Sequence, residues 1–299
     1  MDTIINLPSV QDYCRLLGAK AQHPLVSVVD MSELPAMEHS VKRFGFHCVY
    51  YKEINCGEML YGRSKYDYEE GSMMFIGANQ IAGSNDGVVV ENPKGMILMF
   101  HPDLLIGTTL ARRMEEYSFF SYDSNEALHM SDREKTIILN CFHEIREELD
   151  QVVDKHTKHI VASNIETMLN HCVRFYDRQF VTREILNADI MSRFDKALAV
   201  YFHSGLTASR GLPTVKYCAS EVCLSPNYFG DLVKKSTGHS AREHIHHFAL
   251  NSAKTMLAET DKSVSEIAYA LGFSYPHHLT RLFKKYFNMT PIEYRSISN

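Results

Sequence analysis

The feature that most restricts the fold of this 299-residue chain is an internal repeat near its C-terminus. Residues 214–235, TVKYCASEVCLSPNYFGDLVKK, align with residues 263–285, SVSEIAYALGFSYPHHLTRLFKK. The first parts of the two copies match at an offset of 49 residues and the second parts at 50, so one residue is inserted between them. Insertions are tolerated in exposed turns, where no packing register is lost. We therefore predict two similar pairs of helices, with a turn at the insertion.

Both copies carry the same order of helix signals. A hydroxyl residue, Thr214 or Ser263, precedes a short segment with helical apolar spacing, which is typical of a helix N-cap. A turn is predicted at residues 223–224 in the first copy and 272–273 in the second. Proline then begins the next helix, where its missing N–H removes no hydrogen bond. Each copy is thus predicted to be a helix-turn-helix unit.

The second helix of each copy is predicted to be amphipathic. Its inner face comprises Tyr228, Phe229, Leu232 and Val233 in the first copy, and Leu279, Leu282 and Phe283 in the second. A helix with a polar and basic outer face can enter the major groove of DNA and neutralise phosphates at its edge. We expect contacts with bases from Asn227, Gly230, Asp231, His277, Thr280 and Arg281. We expect contacts with phosphates from Ser225, Lys234, Lys235, Tyr275, Lys284 and Lys285.

The segment between the copies and the charge of this region fit the same interpretation. Residues 240–259 have the apolar spacing of one long helix, which would fix the distance between the two second helices. Residues 210–299 hold 11 Lys and Arg against 7 Asp and Glu, whereas the whole chain has a net charge of −5. This positive surplus fits contact with a polyanion, with ordinary surface variation as the alternative.

Residues 210–299 resemble the DNA-binding domain of the AraC/XylS family. The resemblance rests on LSPNYFGDLVKKSTG at residues 224–238 and on SVSEIAYALGFSYPHHLTRLFKKYFNMTPIEYR at residues 263–295. It implies a sequence-specific transcription regulator, with an activator role, that binds double-stranded DNA and contacts RNA polymerase. The sequence departs from the family pattern at Asp231, where many members carry Arg or Lys, and at Gly230, which replaces a polar side chain.

The N-terminal part is predicted to be a separate domain. Gly, Ser and Pro accumulate in residues 204–213, so we place the boundary between a regulatory domain, 1–203, and a DNA-binding domain, 204–299. Short runs rich in β-branched and aromatic residues lie between residues 44 and 100 and predict strands, and Asp86-Gly87 predicts a hairpin turn. The predicted fold class is α+β. A small β domain, similar to a cupin-like barrel, with flanking helices precedes an all-α domain of two helix-turn-helix units joined by a long helix.

Three further helices are predicted between the strands and the repeat. Ser131 and Glu134 form a capping box before an apolar stripe that ends at Val152. A second stripe runs from Ile160 to Tyr176, and residues 194–202 form a third helix. These helices can pack on the β domain, on each other or on a second copy of the chain, so a homodimer remains open. Residues 205–299 are expected to fold alone and to bind DNA.

Three functions remain open for the N-terminal domain. We expect it to bind a small effector, in a concave site within residues 1–130, that modulates DNA binding. The alternative is a regulator without a small effector, whose N-terminal domain only dimerises or binds a protein. More distant is a cupin-type metal enzyme, because no His-x-His pair occurs near the predicted strands. Met73, Met74, Met96 and Met99 are interpreted as core residues, with a pliable pocket as the alternative.

Other signals exclude further classes of protein. No nucleophile elbow, P-loop or dinucleotide fingerprint occurs, so we expect no catalytic residues, metal or cofactor. His244, His246 and His247 share one predicted helix but point in different directions, so we interpret them as surface residues. We expect no contact with a membrane, because no apolar run approaches the roughly 18 residues of a spanning helix. The N-terminus lacks the pattern of a secretory signal, and the seven unpatterned cysteines suit a reducing cytoplasm.

Overall fold

The computed structural model describes residues 4–53, 71–123, 126–182 and 184–298. The chain divides into two compact units, Met1–Gln179 (unit 1) and Phe180–Asn299 (unit 2). The predicted boundary after residue 203 lies within unit 2, and as a functional division it stays a prediction. Among the described residues, no helix has both the length and the apolar character needed to cross a membrane.

Unit 1 is rich in strands, as the sequence predicts, and its strands form three sheets. In chain order they are β1 (Ile5–Leu7), β2 (Val26–Asp30), β3 (Met37–Glu38), β4 (Lys42–Phe44), β5 (His47–Lys52), β6 (Ser72–Ile76), β7 (Ile81–Ala82), β8 (Val89–Val90), β9 (Gly95–Phe100) and β10 (Leu128–His129). One sheet has the order β10-β6-β5-β9-β2, with antiparallel neighbours throughout. The second has the order β1-β4-β7, in which β1 and β4 are parallel, and the third pairs β3 with β8.

The predicted cupin-like barrel is not seen as a closed barrel. Within the described ranges, hydrogen bonding between strands stops at the edges of the three separate sheets. Every residue of β6 and β9 is buried, so both faces of the largest sheet are covered at these strands. Their continuous apolar sequences, rather than an alternation of apolar and polar residues, reflect this burial on two faces. The established class is therefore mixed α+β, with a strand-rich N-terminal region and a helical C-terminal region.

The turn at Asp86-Gly87 forms, but it does not close a hairpin. Gly87 has the predicted positive φ of 72°. The strands on either side are only two residues long, and β7 pairs with β4 while β8 pairs with β3. The Asp86 carboxylate instead holds the loop by accepting hydrogen bonds from Val88 N at 3.1 Å and from Ser84 Oγ at 2.8 Å.

The helices of unit 1 confirm most of the predicted apolar stripes. They are α1 (Val10–Leu17), α2 (Pro102–Leu105), α3 (Thr109–Arg113), α4 (Asp132–Asp150) and α5 (Thr157–Thr182), whose last three residues belong to unit 2. The capping box of Ser131 and Glu134 begins α4 as predicted. The prediction that Val152 belongs to the buried stripe is wrong: α4 ends at Asp150, and Val152 is 91% exposed. Ile160, near the start of α5, is likewise 42% exposed, whereas Val161 to Tyr176 supply the expected buried face.

The described residues of unit 2 form helices joined by turns and loops, without a strand among them. Its helices are α6 (Glu184–His203), α7 (Leu206–Arg210), α8 (Val215–Glu221), α9 (Pro226–Thr237), α10 (Ala241–Glu259), α11 (Val264–Ala270), α12 (Pro276–Phe287) and α13 (Pro291–Ser298). The predicted third helix, residues 194–202, lies within α6, which begins ten residues earlier. The predicted break at residues 204–213 contains the short helix α7. The long connecting helix is α10, and Ser240 and Glu243 form a capping box at its start.

Two apolar clusters hold these helices together. The first core consists of Phe194, Leu198, Cys218, Ala219, Val222, Phe229, Val233, Ala241 and Ile245. The second core consists of Ala249, Leu250, Ala253, Leu257, Ile267, Ala268, Leu271, Phe273, Leu279 and Phe283. The N-terminal half of α10 therefore belongs to the first core and its C-terminal half to the second. Phe202 of α6 packs against both cores.

Candidate nucleic-acid interface

The first helix-turn-helix unit consists of α8 and α9. Thr214 caps α8 by accepting a hydrogen bond from Tyr217 N, as its position before the helix predicts. The turn between the helices passes through Cys223, whose φ of 60° is unusual for a residue with a side chain. Pro226 occupies the first position of α9, and Ser225 caps this helix by accepting from Tyr228 N at 3.3 Å. The buried face of α9 is the predicted one, from Tyr228 to Val233.

The second unit, α11 and α12, repeats this backbone. Ser263 and Glu266 form a capping box at the start of α11, and Gly272 occupies the turn with a φ of 87°. Phe273 N donates to Ala268 O at 2.9 Å, matching the 3.0 Å bond from Leu224 N to Ala219 O in the first unit. The units differ at the N-cap of the second helix, because Tyr275 makes no side-chain capping bond. The equivalence of these bonds shows that the repeat in sequence is a repeat in structure.

The repeat extends further than the sequence alignment suggested. Ser240 and Glu243 cap α10, and Thr290 and Glu293 make the same pair of hydrogen bonds at the start of α13. Both pairs follow a residue in the left-handed conformation, Gly238 or Asn288, which ends the preceding helix. The start of α10 thus closes the first unit as α13 closes the second. In the sequence, the signal for the helix that follows each unit, α10 or α13, is a serine or threonine three residues before a glutamate.

The residues predicted to face bases lie on the outer faces of α9 and α12. In α9, Asn227 is exposed, while Gly230 and Asp231 are half-buried. In α12, His277 and Arg281 are exposed, whereas Thr280 is half-buried and its hydroxyl donates to Pro276 O at 3.3 Å. The structure therefore groups these six residues by helix, three on each.

The residues predicted to contact phosphate divide into exposed side chains and one buried cap. Lys234 and Lys235 at the end of α9, and Lys284 and Lys285 near the end of α12, are all exposed. Tyr275 is 58% exposed before α12. Ser225 differs, because it is only 3% exposed and its hydroxyl caps α9. A contact between the Ser225 side chain and phosphate would compete with this cap.

Arg281 is available to a ligand in the part of the chain that the structure describes. The sequence alone left an alternative open, in which Arg281 forms an ion pair with Glu266 or Glu293 of the same domain. Glu266 Oε2 instead accepts from Ser263 N and Oγ, both at 2.7 Å, and Glu293 Oε2 accepts from Thr290 N at 2.6 Å. These hydrogen bonds lower the pKa of both carboxyl groups. Among the described residues, Arg281 makes no ion pair, so the outer face of α12 presents a free guanidinium.

Sequence reasoning missed two residues that position the second unit. Arg295 of α13 donates from Nε to Leu257 O at 3.1 Å and from Nη2 to Lys262 O, which joins α13 to the end of α10. Thr207 of α7 donates to Ala270 O at 2.6 Å and joins the predicted break to α11. All three bonds end on backbone carbonyls, which no side-chain pattern in the sequence identifies.

The histidines of α10 have separate neighbours. His244 Nε2 lies 2.8 Å from Asp195 Oδ1 of α6, whereas the ring of His247 packs on Tyr286 at a centroid distance of 4.3 Å. Within the described residues, no three His, Cys, Asp or Glu side chains are grouped as metal ligands would be.

Unit 1 contains a cavity that touches all three sheets. Its lining includes Met37 and Val90 of the two-stranded sheet, Phe44 of the second sheet, and Tyr50 and Met74 of the largest sheet. Of the four methionines interpreted as core, Met73, Met96 and Met99 are buried away from this lining, while Met74 is buried beside it. The interpretation as core residues is therefore confirmed for all four, while the pliable pocket stays a prediction that concerns Met74 alone.

Comparison with known proteins adds a family for the C-terminal region. Residues 218–297 match the family described as Helix-turn-helix domain. The Uncharacterized HTH-type transcriptional regulator YijO of Escherichia coli (strain K12) is 29% identical over 131 residues, which is 44% of this chain and 44% of YijO. The Regulatory protein PocR of Salmonella typhimurium is 34% identical over 108 residues, 36% of this chain and 34% of PocR. The match thus spans less than half the length of either relative.

A solved structure from Chromobacterium violaceum, described as a transcriptional regulator with an AraC-type DNA-binding domain, is 25% identical with a TM-score of 0.29. The match covers 35% of this chain and 94% of the chain in that solved structure.

Proposed function

With residues 218–297 identified as a helix-turn-helix domain of the AraC type, we propose that this protein is a sequence-specific regulator of transcription that binds double-stranded DNA. The observation that carries the proposal is the placement of α9 and α12 on one connecting helix, α10, with their polar faces exposed. Each second helix has the form of a helix that enters the major groove. The exposed lysine pairs at their ends suit phosphate neutralisation.

The part that binds DNA is proposed to begin at residue 180 rather than at residue 204. Phe194 and Leu198 of α6 are fully buried in the first core, together with Phe229 of α9. The ring of Phe194 meets that of Phe229 edge to face, at a centroid distance of 4.9 Å. The position of α9 therefore depends on α6, and α6 belongs with the units that it supports.

Selection of bound DNA from a random pool, using the full-length protein, tests the proposed function. We expect enrichment of two short motifs at one fixed separation, because α10 joins both reading helices. Affinity for the enriched DNA should fall steeply as salt increases, since phosphate contacts release counterions. A folded protein that enriches no motif after repeated rounds contradicts the proposal.

A matched pair of arginine variants separates reading of the motif from general charge. Arg281→Ala removes the exposed guanidinium of α12 and should weaken or alter one of the two motifs. Arg15→Ala removes another exposed arginine, from α1 of unit 1, where its side chain bonds Asp12. The Arg15 variant should select the same motifs as the parent. Equal behaviour of the two variants would remove Arg281 from the proposed interface.

Regulation by a small effector bound in unit 1 is the finer part of the proposal. The cavity that touches the three sheets supports it, and in this looser sense unit 1 is proposed to be cupin-like: its strands surround one site without closing a barrel. The alternative, a unit 1 that only dimerises or binds a protein, predicts no effect of small molecules on melting. Homodimerisation, contact with RNA polymerase, an activator role and cytoplasmic location belong to the same proposal.

A further inference from the structure

The cavity of unit 1 combines an apolar interior with positive charge. Its volume is about 90 Å³. Tyr13, Phe44 and Met74, all buried, supply apolar surface, and Lys42 and Lys52 lie in the same lining. A ligand of this site must therefore offer an apolar body and a group that tolerates a nearby ammonium.

Lys42 is the residue that most restricts the ligand. It is half-buried on β4, and its Nζ donates to Ser40 O at 3.3 Å. Burial lowers the pKa of its ammonium group, because removal from water disfavours the charged form. Among the described residues, Lys42 forms no ion pair with a carboxylate. A half-buried ammonium in this state gains more from an anion than an exposed one does, since screening by water is reduced.

The other charged groups at the cavity do not supply that anion. Glu38 lies in the lining but is exposed. His39 Nδ1 lies 3.0 Å from Asp86 Oδ1, and the Asp86 carboxylate also accepts from Ser84 Oγ and Val88 N. The Asp86 carboxylate is thus already hydrogen-bonded within its own loop. Among the described residues of the lining, the half-buried charged groups are Lys42, Lys52, which has an interaction of its own, and this paired histidine.

We infer that this cavity binds a small monocarboxylate with an apolar body, whose carboxylate is held by Lys42. The size follows from the volume: one water needs roughly 10–15 Å³ of such space, so the cavity holds roughly six to nine non-hydrogen atoms. Benzoate and hexanoate have this size. The inference deepens the proposed regulator function, on which it rests for the effect of the ligand on DNA binding.

Calorimetric titration and thermal melting of the full-length protein test the inference. The probes are benzoate and hexanoate, with benzyl alcohol, 1-hexanol and benzylamine as neutral and cationic partners of the same size. Both carboxylates should bind and raise Tm with concentration, because they stabilise the folded state. The alcohols and the amine should bind at least about tenfold more weakly, since they lack the charge-assisted hydrogen bond. Equal binding of alcohol and carboxylate, or no binding of either carboxylate, overturns the inference.

Three lysine variants locate the site. Lys42→Met should lower the affinity for benzoate by about tenfold or more, with an unliganded Tm no lower than that of the parent, because a half-buried charge is replaced by an apolar chain. Lys42→Arg should keep binding within a few-fold. Lys155→Met removes an exposed lysine of unit 1 outside the cavity lining and should behave as the parent. Parental affinity in Lys42→Met overturns the assignment.

Affinity for selected DNA, measured with and without benzoate, separates this site from the proposed function. A change in DNA affinity that Lys42→Met abolishes supports both. Benzoate binding without any effect on DNA supports the site and contradicts effector control through it. Loss of the proposed DNA-binding function would leave the calorimetric result unchanged.

Discussion

In the first helix-turn-helix unit α9 presents Asn227, Gly230 and Asp231 on its outer face, whereas in the second α12 presents His277, Thr280 and Arg281. The hydrogen bonds of the turns are equivalent in the two units, and both second helices start with proline, although only α9 has a side-chain cap. The two units therefore share one backbone arrangement but differ in the chemistry of the outer face of the second helix. A helix needs only its caps and its apolar stripe to hold its place, so its remaining face is free to differ.

The turns of the two units differ for a steric reason. At Gly272, a Cβ would lie 2.6 Å from the Gly211 carbonyl carbon, so the chain before α8 passes too close for any side chain. Cys223 occupies the equivalent turn of the first unit and keeps its side chain exposed. The second turn is thus a packing contact as well as a turn, and the first is only a turn.

Removing α6 should have the largest effect and should act on the first unit before the second. We expect a fragment of residues 180–299 to unfold cooperatively in urea. A fragment of residues 205–299 lacks Phe194 and Leu198, and loss of two such buried side chains costs at least about 5 kcal/mol. Circular dichroism during urea titration measures the difference. Equal stability of the two fragments would show that the first unit does not need α6.

Substitution of the turn residue should change the free energy of unfolding strongly in the second unit and weakly in the first. Gly272→Ala should lower the free energy of unfolding by about 2–4 kcal/mol, because it adds left-handed strain and a contact with Gly211. Cys223→Gly should change it by less than about 1 kcal/mol, since relief of strain is offset by a more flexible unfolded chain. Thermal melting of both variants checks this order, and a reversed order would mean that the turns have been assigned the wrong roles.

The outer faces should contribute unequally to DNA binding. Arg281→Ala should cost about 1–3 kcal/mol on the selected DNA and relax the preference at one base pair, if the guanidinium reads a base. Lys284→Ala should weaken binding to all sequences evenly. Asp231→Ala should cost little or strengthen non-specific binding, because it removes a negative charge from the face of α9. The measurement is affinity for selected and random DNA at two salt concentrations. If only Asp231→Ala lost affinity for the selected DNA, α9 rather than α12 would be the helix that contributes more to recognition.

Gly230 should give the smallest effect on stability. Its Cβ would meet nothing within 4 Å, and alanine is the better helix former by roughly 0.5–1 kcal/mol. Gly230→Ala should therefore raise Tm slightly. Weaker binding to selected DNA by this stabilised variant would indicate that the backbone of α9 approaches DNA closely at Gly230. Unchanged binding would show that the face tolerates a side chain there.

The sequence predicted unit 2 better than unit 1, because helix signals are local. Hydroxyl caps, proline at the first helical position and apolar residues three and four apart placed α8 to α12 within the repeat. In unit 1, the partner of each short strand depends on residues far away in the chain. Asp86-Gly87 was a correct turn signal that gave a wrong pairing, because β7 pairs with β4 and β8 pairs with β3, both of which lie about 40 residues or more earlier in the chain.

The positions of the predicted site residues on α9 and α12 could be predicted from the sequence, whereas the residues that support these helices could not. The exposed faces of α9 and α12 follow from the helical period, and only Ser225 is placed differently, as a buried cap. The supports of these helices are α6, Thr207 and Arg295. Phe194 and Leu198 lie before the Gly- and Ser-rich segment, which resembled a domain boundary, and Thr207 lies within it. A flexible-looking segment that ends in a close contact with α11 cannot be told from a linker by composition alone.

If α9 and α12 contact DNA as proposed, the sharing of α10 between two cores has a consequence for the DNA rather than for the protein. A helix packed at both ends cannot lengthen or twist to suit a site whose grooves are spaced differently from its two reading helices. Any mismatch between protein spacing and helical pitch must then be absorbed by bending or untwisting the duplex, at a cost that depends on the base steps being deformed. Bases between the two contacted segments, which no side chain touches, would in this way enter the preference of the protein for its sites.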